Sequence, residues 1–229
     1  MQERDRIFRF TAHELKSPLT TLRSMLAVIN KMYSKTMQPE AGEIIIRAEK
    51  RADQVLFMVK DMIDITQYKQ GIKKKVCEIV DFEKWLIETV NLQKDYAVNS
   101  NVNLSIKPIN KKSRICIDIP SLEKVIENLV NNAIRYSPSG AVVTVEPFVK
   151  KGTFVIKVRD TGIGIPEEDL NKIFEEFYRG NNAKQMERLG TGLGLSLVKQ
   201  IIEQFGGKIS VESKLGEGSV FTIEMPFLQ

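Results

Sequence analysis

Phe8, Ala12, Leu15, Leu19, Leu22, Leu26, Ile29 and Tyr33 succeed one another in alternating steps of four and three residues. Ala41, Ile45, Ala48, Ala52, Val55, Val59, Met62 and Thr66 repeat the same steps over the same length. Such a period commits both stretches to helices with a heptad seam. The break at Thr36-Met37-Gln38-Pro39 turns them into an antiparallel hairpin whose seams each run about 38 Å at about 1.5 Å per residue. Met25, Met32, Ile44, Leu56 and Ile63 lie beside the seams and widen the apolar stripe beyond what two helices can cover. A second hairpin is the natural cover, so the pattern predicts a homodimeric four-helix bundle.

Past Gly71 and the run Lys73-Lys74-Lys75 the helical repeat stops. Residues 1–70 therefore read as the helical hairpin, 71–75 as a linker and 76–229 as a second domain. Within the latter, strands are expected at Val76–Val80, Val102–Ile106, Arg114–Ile117, Val142–Phe148, Phe154–Arg159, Lys208–Ser213 and Ser219–Met225. Helices are expected at Phe82–Ala97, capped by Asp81, and at Leu122–Tyr136 and Gly192–Phe205. Late consecutive strands joined by tight turns predict an α+β sandwich on a mixed sheet, making the whole chain multi-domain.

Composition excludes several function classes. With 42% hydrophobic and 28% charged residues the chain is an ordinary soluble globular protein. No apolar run is long enough to span a bilayer, and Met1-Gln2-Glu3-Arg4-Asp5-Arg6 lacks the apolar core of a signal peptide. The opening inside a helical pattern suggests a fragment, with sensor or membrane segments upstream. A charge of +5 is modest and dispersed, and no basic face is interleaved with aromatics, so no nucleic-acid partner is expected. Cys77 and Cys116 form no metal-ligand or redox spacing and read as small buried residues of a protein in a reducing compartment.

The only histidine, His13, lies in Phe10-Thr11-Ala12-His13-Glu14-Leu15-Lys16-Ser17-Pro18-Leu19, one position off the seam. A neutral imidazole is a nucleophile at cytoplasmic pH, and the adjacent Glu14 can orient it and accept its proton. Pro18 deprives the Glu14 carbonyl of its helical donor, so a bend is expected one turn beyond the histidine. Folding the hairpin about its turn brings position 13 opposite Asp61 and Met62. A single helical histidine is more often structural; the motifs downstream reverse that reading.

On the helix from Leu122, Leu122, Val125, Ile126, Leu129 and Ala133 form one face and Asn128, Asn131, Asn132 and Arg135 another. Asparagine is a poor mid-helix residue, but its carboxamide oxygen can complete the shell of Mg²⁺, and Arg135 can face phosphate charge. Asp160-Thr161-Gly162-Ile163-Gly164-Ile165-Pro166 follows an alternating strand. Its glycines permit close backbone approach, and its aspartate suits an exocyclic amine such as that of adenine. Gly190-Thr191-Gly192-Leu193-Gly194-Leu195 opens a helix whose N–H groups suit polyphosphate. Asn181–Leu189, polar and aperiodic, separates it from Phe174-Glu175-Glu176-Phe177-Tyr178-Arg179-Gly180 and reads as a mobile lid.

In this order the blocks resemble the catalytic core of a two-component sensor histidine kinase over essentially the whole chain. His13–Leu19 resembles the phosphoacceptor box, Asn128–Tyr136 the asparagine box, and Asp160–Gly164, Phe174–Phe177 and Gly190–Gly194 the remaining boxes. The resemblance implies a Bergerat-type ATP-binding fold behind a dimeric histidine phosphotransfer domain. It also implies ATP-dependent phosphorylation of His13 with Glu14 as general base, and transfer to an aspartate on a response regulator receiver domain. ATP would be bound by Asn128, Asn132, Arg135, Tyr136, Asp160, Gly162, Gly164, Ile165, Arg179, Gly190, Thr191, Gly192, Leu193 and Gly194, and Mg²⁺ through Asn128 and Asn132. A cytoplasmic location follows, alone or as part of a membrane-bound sensor. Lys16, Ser17 and Arg135 stand where the family often has arginine, threonine and lysine; no phosphatase role is carried over to Ser17. The alternatives are a conformationally coupled ATPase of the same superfamily, disfavoured because its water-activating glutamate is here Asn128, and a catalytically silent dimeric scaffold.

Overall fold

The computed structural model describes residues 2–71, 76–150, 152–186 and 190–227, with side chains from Glu14 onward. The His13 imidazole, most of the expected linker (72–75) and the lid's last three positions (187–189) lie outside the described residues. The chain divides into two compact units, Met1–Gln70 and Gly71–Gln229.

The first unit is a hairpin of α1 (Gln2–Tyr33) and α2 (Pro39–Lys69). Pro39 suits the start of α2, where its missing N–H costs nothing. Leu19 and Met62 pack on buried Val59 and Ile63. Arg23 Nε donates to Asp53 Oδ1 (3.0 Å) and Asn30 Nδ2 to Glu49 Oε2 (3.1 Å), fixing the antiparallel register. That register carries the backbone at His13 to the level of the last two turns of α2. Pro18 sits within α1, and the helix runs through it. Leu22, Met25, Ile29, Met32, Ile44 and Val55 remain exposed, an apolar face that the hairpin does not cover.

The second unit runs β1 (Glu78–Asp81), α3 (Phe82–Asn91), α4 (Lys94–Asn99), β2 (Asn103–Ile106), β3 (Arg114–Ile117), α5 (Ile119–Arg135), β4 (Val142–Lys150) and β5 (Thr153–Asp160). A short 3-10 turn (Glu167–Asp169), α6 (Asn181–Met186), α7 (Gly194–Gln204), β6 (Lys208–Lys214) and β7 (Gly218–Pro226) complete it. The main sheet has the order β2-β4-β5-β7-β6, with β2 parallel to β4 and the other pairs antiparallel; β1 and β3 form a separate antiparallel pair. Helices α3, α5 and α7 cover the sheet. The core joins fully buried Val125, Ile126, Val130, Leu197 and Ile201 to Val143, Ile156 and Ile223. Phe82 anchors the chain entering this layer, its ring 4.9 Å from that of Phe154. This is the expected α+β sandwich.

Three local expectations need correction. The helix from Phe82 ends at Asn91 and restarts at Lys94, because the Gln93 N–H tightens onto Val90 O (3.0 Å). Helix α5 begins at Ile119, not Leu122: the Asp118 carboxylate caps it by accepting from Ser121 N (3.0 Å), and Pro120 occupies its first turn. Finally, Cys77 is exposed and Cys116 half-buried, and the two are disulfide-paired with their Cα atoms 5.4 Å apart. Pairing of β1 with β3 brings together residues 39 positions apart.

Candidate functional site

Strand β5 delivers Asp160 to the end of the sheet, where it is 7% exposed. Its Oδ1 accepts from the backbone N–H of Gly162 (2.9 Å) and of Ser219 (3.2 Å). Burial pushes its carboxyl up to about 6, with the two N–H donors pulling the other way. The group is therefore an ionised acceptor at neutral pH and becomes a neutral acid below about 6.

The backbone around it is close-packed. A Cβ on Gly162 would lie 2.3 Å from the Tyr136 carbonyl oxygen, and one on Gly164, at φ +66°, would lie 2.0 Å from that of Lys214. Ile163 N–H donates to Tyr136 O (3.0 Å) and Ile165 N–H to Ser213 Oγ (2.8 Å). The turn after β5 is thus clamped between the end of α5 and the β6–β7 hairpin.

Helix α5 presents Asn128, Asn132 and Arg135 one turn apart, all half-buried. Asn128 Nδ2 donates to Lys124 O (2.8 Å), leaving its carboxamide oxygen as acceptor, and a Cβ on Gly194 would stand 2.6 Å from that oxygen. Among the described residues no three His, Cys, Asp or Glu gather as a metal site. A cation here would be held by carboxamide oxygens, phosphate oxygens and water, a donor set that suits Mg²⁺. Asn131 Oδ1 is buried without a hydrogen-bond partner.

The glycine turn before α7 meets the segment that leads to the lid. Phe177 N–H donates to Gly192 O (3.0 Å), and Phe177 adopts φ +63°, a costly conformation for an aromatic residue. Arg179 Nη1 donates to Gly190 O (3.2 Å), and Leu193 N–H to Thr191 Oγ1 (3.1 Å). Tyr178 OH donates to buried Asp169 (2.5 Å); that hydrogen bond, followed by burial and nearby carboxylates, raises the phenol to about 12. The first part of the expected lid, Asn181–Met186, is the short helix α6, and Asn182 Nδ2 donates back to Gly164 O (2.8 Å).

Asn128, Tyr136, Asp160, Gly162, Gly164, Ile165, Arg179 and Gly190 to Gly194 are thus linked by direct contacts or through Ser213, Ser219, Phe177 and Asn182. Phe177 fell in the expected Phe174–Phe177 box and Asn182 in the expected lid, whereas Ser213 and Ser219 were read only as strand residues. Gly218, next to Ser219, was a local signal for the latter: at φ +101°, its Cβ would lie 2.1 Å from Asp160 O. Asn132 and Arg135 share the α5 stripe. Glu14 is exposed on α1, in the first unit.

Residues 3–71 match the model of the His Kinase A (phospho-acceptor) domain, and residues 117–229 that of the histidine kinase-, DNA gyrase B- and HSP90-like ATPases. The chain is 29% identical to the sensor histidine kinase WalK of Bacillus subtilis, over 99% of this chain and 37% of that protein. It is 32% identical to the sensor-like histidine kinase SenX3 of Mycobacterium tuberculosis, over 95% of this chain and 52% of that protein. It therefore spans about half or less of the length of these relatives. Among solved structures, full-length ShkA in complex with AMPPNP superposes with a TM-score of 0.80 at 22% identity, over 98% of this chain and 46% of that one. Histidine kinase AdeS of Acinetobacter baumannii superposes with a TM-score of 0.68 at 24% identity, over 95% and 98%.

Proposed function

The chain belongs to the sensor histidine kinase family, a phosphoacceptor domain followed by the family's ATPase domain, and from that premise we propose that it phosphorylates its own His13 from ATP and passes the phosphoryl group to an aspartate of a response regulator receiver domain. In this reading Glu14 accepts the imidazole proton as the ring attacks. Asp160 accepts from the adenine amine while Gly162, Gly164, Ile165 and Tyr136 shape the base pocket. Arg135 and Arg179 balance phosphate charge, and the turn Gly190–Gly194 offers N–H donors at the start of α7. Asn128 and Asn132 would hold Mg²⁺, which supplies charge neutralisation on the phosphates when bound. The remaining catalysis is positioning, as expected for phosphoryl transfer.

The observation that carries this reading is the meeting of Asn128 with Gly194 while Asp160 lies buried at the other end of the same ring of contacts. It supports the reading by offering an oxygen donor for a cation at the mouth of a glycine turn and a buried carboxylate as acceptor for a base. A homodimer follows from the exposed apolar face of the hairpin, and a cytoplasmic location from the need for ATP and a receiver domain. Incubation with γ-labelled ATP and magnesium should give an acid-labile, base-stable label in the wild type and none in His13→Gln. Label that persists in that variant would overturn the assignment.

A further inference from the structure

We propose that Cys77 and Cys116 are a reversible thiol–disulfide site that fastens the strand after the linker to the cap of α5 and so sets how many residues separate the anchored ends of the two units. The pair is disulfide-linked with Cα atoms 5.4 Å apart, a backbone separation that a bridge can span. What it fastens is otherwise weakly held. Strand β1 has four residues, pairs only with β3 and buries none of its side chains; Ile79 is 65% exposed and neighbouring Val76 52%. An isolated two-stranded ladder of this kind is marginal in water.

The second hold is one carboxylate. Asp118 Oδ2 accepts from Val76 N–H (2.7 Å) while its Oδ1 caps α5 through Ser121 N–H. Cys116 lies two residues before Asp118. The bridge therefore secures the chain's entry point against the N-terminus of the helix that carries Asn128 and Asn132. Beyond β1 the next firm anchor is Phe82, which is fully buried.

With the bridge formed, residues 71–76 separate Gln70 from Cys77, a reach of at most about 21 Å. With the bridge open and β1 released, residues 71–81 separate Gln70 from the next anchor, Phe82, a reach of at most about 38 Å. Tether length governs how often two linked groups meet. The consequence for phosphorylation rests on the kinase reading, whereas the redox site does not.

The oxidant class is a small-molecule disulfide such as oxidised glutathione. The exposed Cys77 thiolate, preceded in sequence by Lys73, Lys74 and Lys75, attacks one sulfur of the reagent and expels a small thiolate. The Cys116 thiolate then attacks the Cys77 sulfur of the mixed disulfide and expels the second. Two electrons pass to the reagent, and the two protein protons end on the two released thiols. Excess reduced glutathione reverses both steps.

The full chain is equilibrated in reduced or oxidised glutathione and read by alkylation mass spectrometry, by amide exchange at Val76–Asp81 and by autophosphorylation rate. Oxidation should give an intramolecular Cys77–Cys116 bridge, slow exchange in β1 by about tenfold and slow autophosphorylation by about threefold. Cys77→Ser should lose all three responses. Only glutathione adducts or intermolecular dimers, or a bridge without added protection, would overturn the site; a bridge with protection but no change in rate would overturn its control of the tether. Should neither state label His13, the kinase reading fails, and the exchange arm still decides the redox site.

Discussion

Gly194 stands so close to Asn128 that a Cβ on the glycine would fall 2.6 Å from the carboxamide oxygen of the asparagine. The obstructed atom is the tip of a side chain, which can swing away at little cost to the fold. Alanine is also a better first-turn helix residue than glycine. Gly194→Ala should therefore leave the melting temperature nearly unchanged while displacing the proposed Mg²⁺ ligand. Titration with a magnesium–nucleotide complex should show affinity reduced by about tenfold or more, equivalent to about 1.4 kcal/mol. Unchanged affinity would remove Asn128 from the metal site.

Gly164 gives the opposite outcome. Its φ is +66°, and a Cβ would meet the Lys214 backbone carbonyl at 2.0 Å, with no flexible atom to yield. Gly164→Ala should cost about 2 kcal/mol or more of stability. Denaturant unfolding of the two alanine variants in parallel separates a glycine kept for the ligand from one kept for the fold.

Asp160 carries a pH signature. Its carboxyl is raised from 3.8 to about 6 by burial, so the folded protein holds this proton more tightly than the unfolded chain. The contribution to stability is greatest below pH 4 and is lost as pH rises through about 6, at most about 3 kcal/mol in all. Asp160→Asn removes the buried charge but keeps an acceptor for Gly162 and Ser219. The variant should equal or exceed wild-type stability at pH 7.5, with the difference closing toward pH 4. Nucleotide affinity should fall in the variant at every pH, and in the wild type as pH drops below about 6. A variant less stable at neutral pH than at pH 4, relative to wild type, would contradict the buried-charge account.

How far these features could be read beforehand depends on whether the physics behind each is local. The alternating strands β4 and β5 and the asparagine stripe of α5 are periodic patterns, and each emerged where its period placed it; the heptad period gave both helices of the hairpin, while its seam residues Leu15, Leu22, Ile29, Tyr33 and Val55 stay exposed in the single chain. The start of α5 had a local signal too, Asp118 with Ser121 three residues on and Pro120 between, but the apolar period from Leu122 drew the boundary late. Ser219 and Ser213 could not be found this way. Ser219 reaches Asp160 only because β7 pairs with β5 across 59 positions. Cys77 and Cys116 are likewise joined by a strand register that composition does not encode. The positive φ of Phe177 is imposed by the Gly192 turn crossing it, a tertiary constraint on a residue with no intrinsic preference for that conformation.

Glu14 tests the chemistry independently of the nucleotide site. It is exposed on α1, in a different unit from the residues proposed to bind ATP, so its removal should not alter nucleotide affinity. As general base it should contribute about 10²- to 10⁴-fold to the rate. Glu14→Gln should lower the initial rate of autophosphorylation by that order with unchanged affinity for ATP. An undiminished rate would mean that another group, or water, takes the imidazole proton.

The hairpin makes the final prediction. Met25 is 59% exposed, Met32 66% and Ile44 62%, on helices whose seam residues Leu22, Ile29 and Val55 the hairpin also leaves exposed. Leaving these side chains in water forfeits about 25 cal/mol for each Å² of apolar surface that a partner would cover. Patches of this kind on a soluble domain mark an interface. A second copy fits because it presents the same apolar stripe and completes a four-helix core. Light scattering at micromolar concentration should give twice the 26.1 kDa chain mass. Met25→Glu with Ile44→Glu should return the chain to monomer while leaving the Arg23–Asp53 and Asn30–Glu49 contacts, and hence helicity, intact. Wild-type protein that is monomeric under these conditions would refute the bundle, and the exposed stripe would then need a different partner.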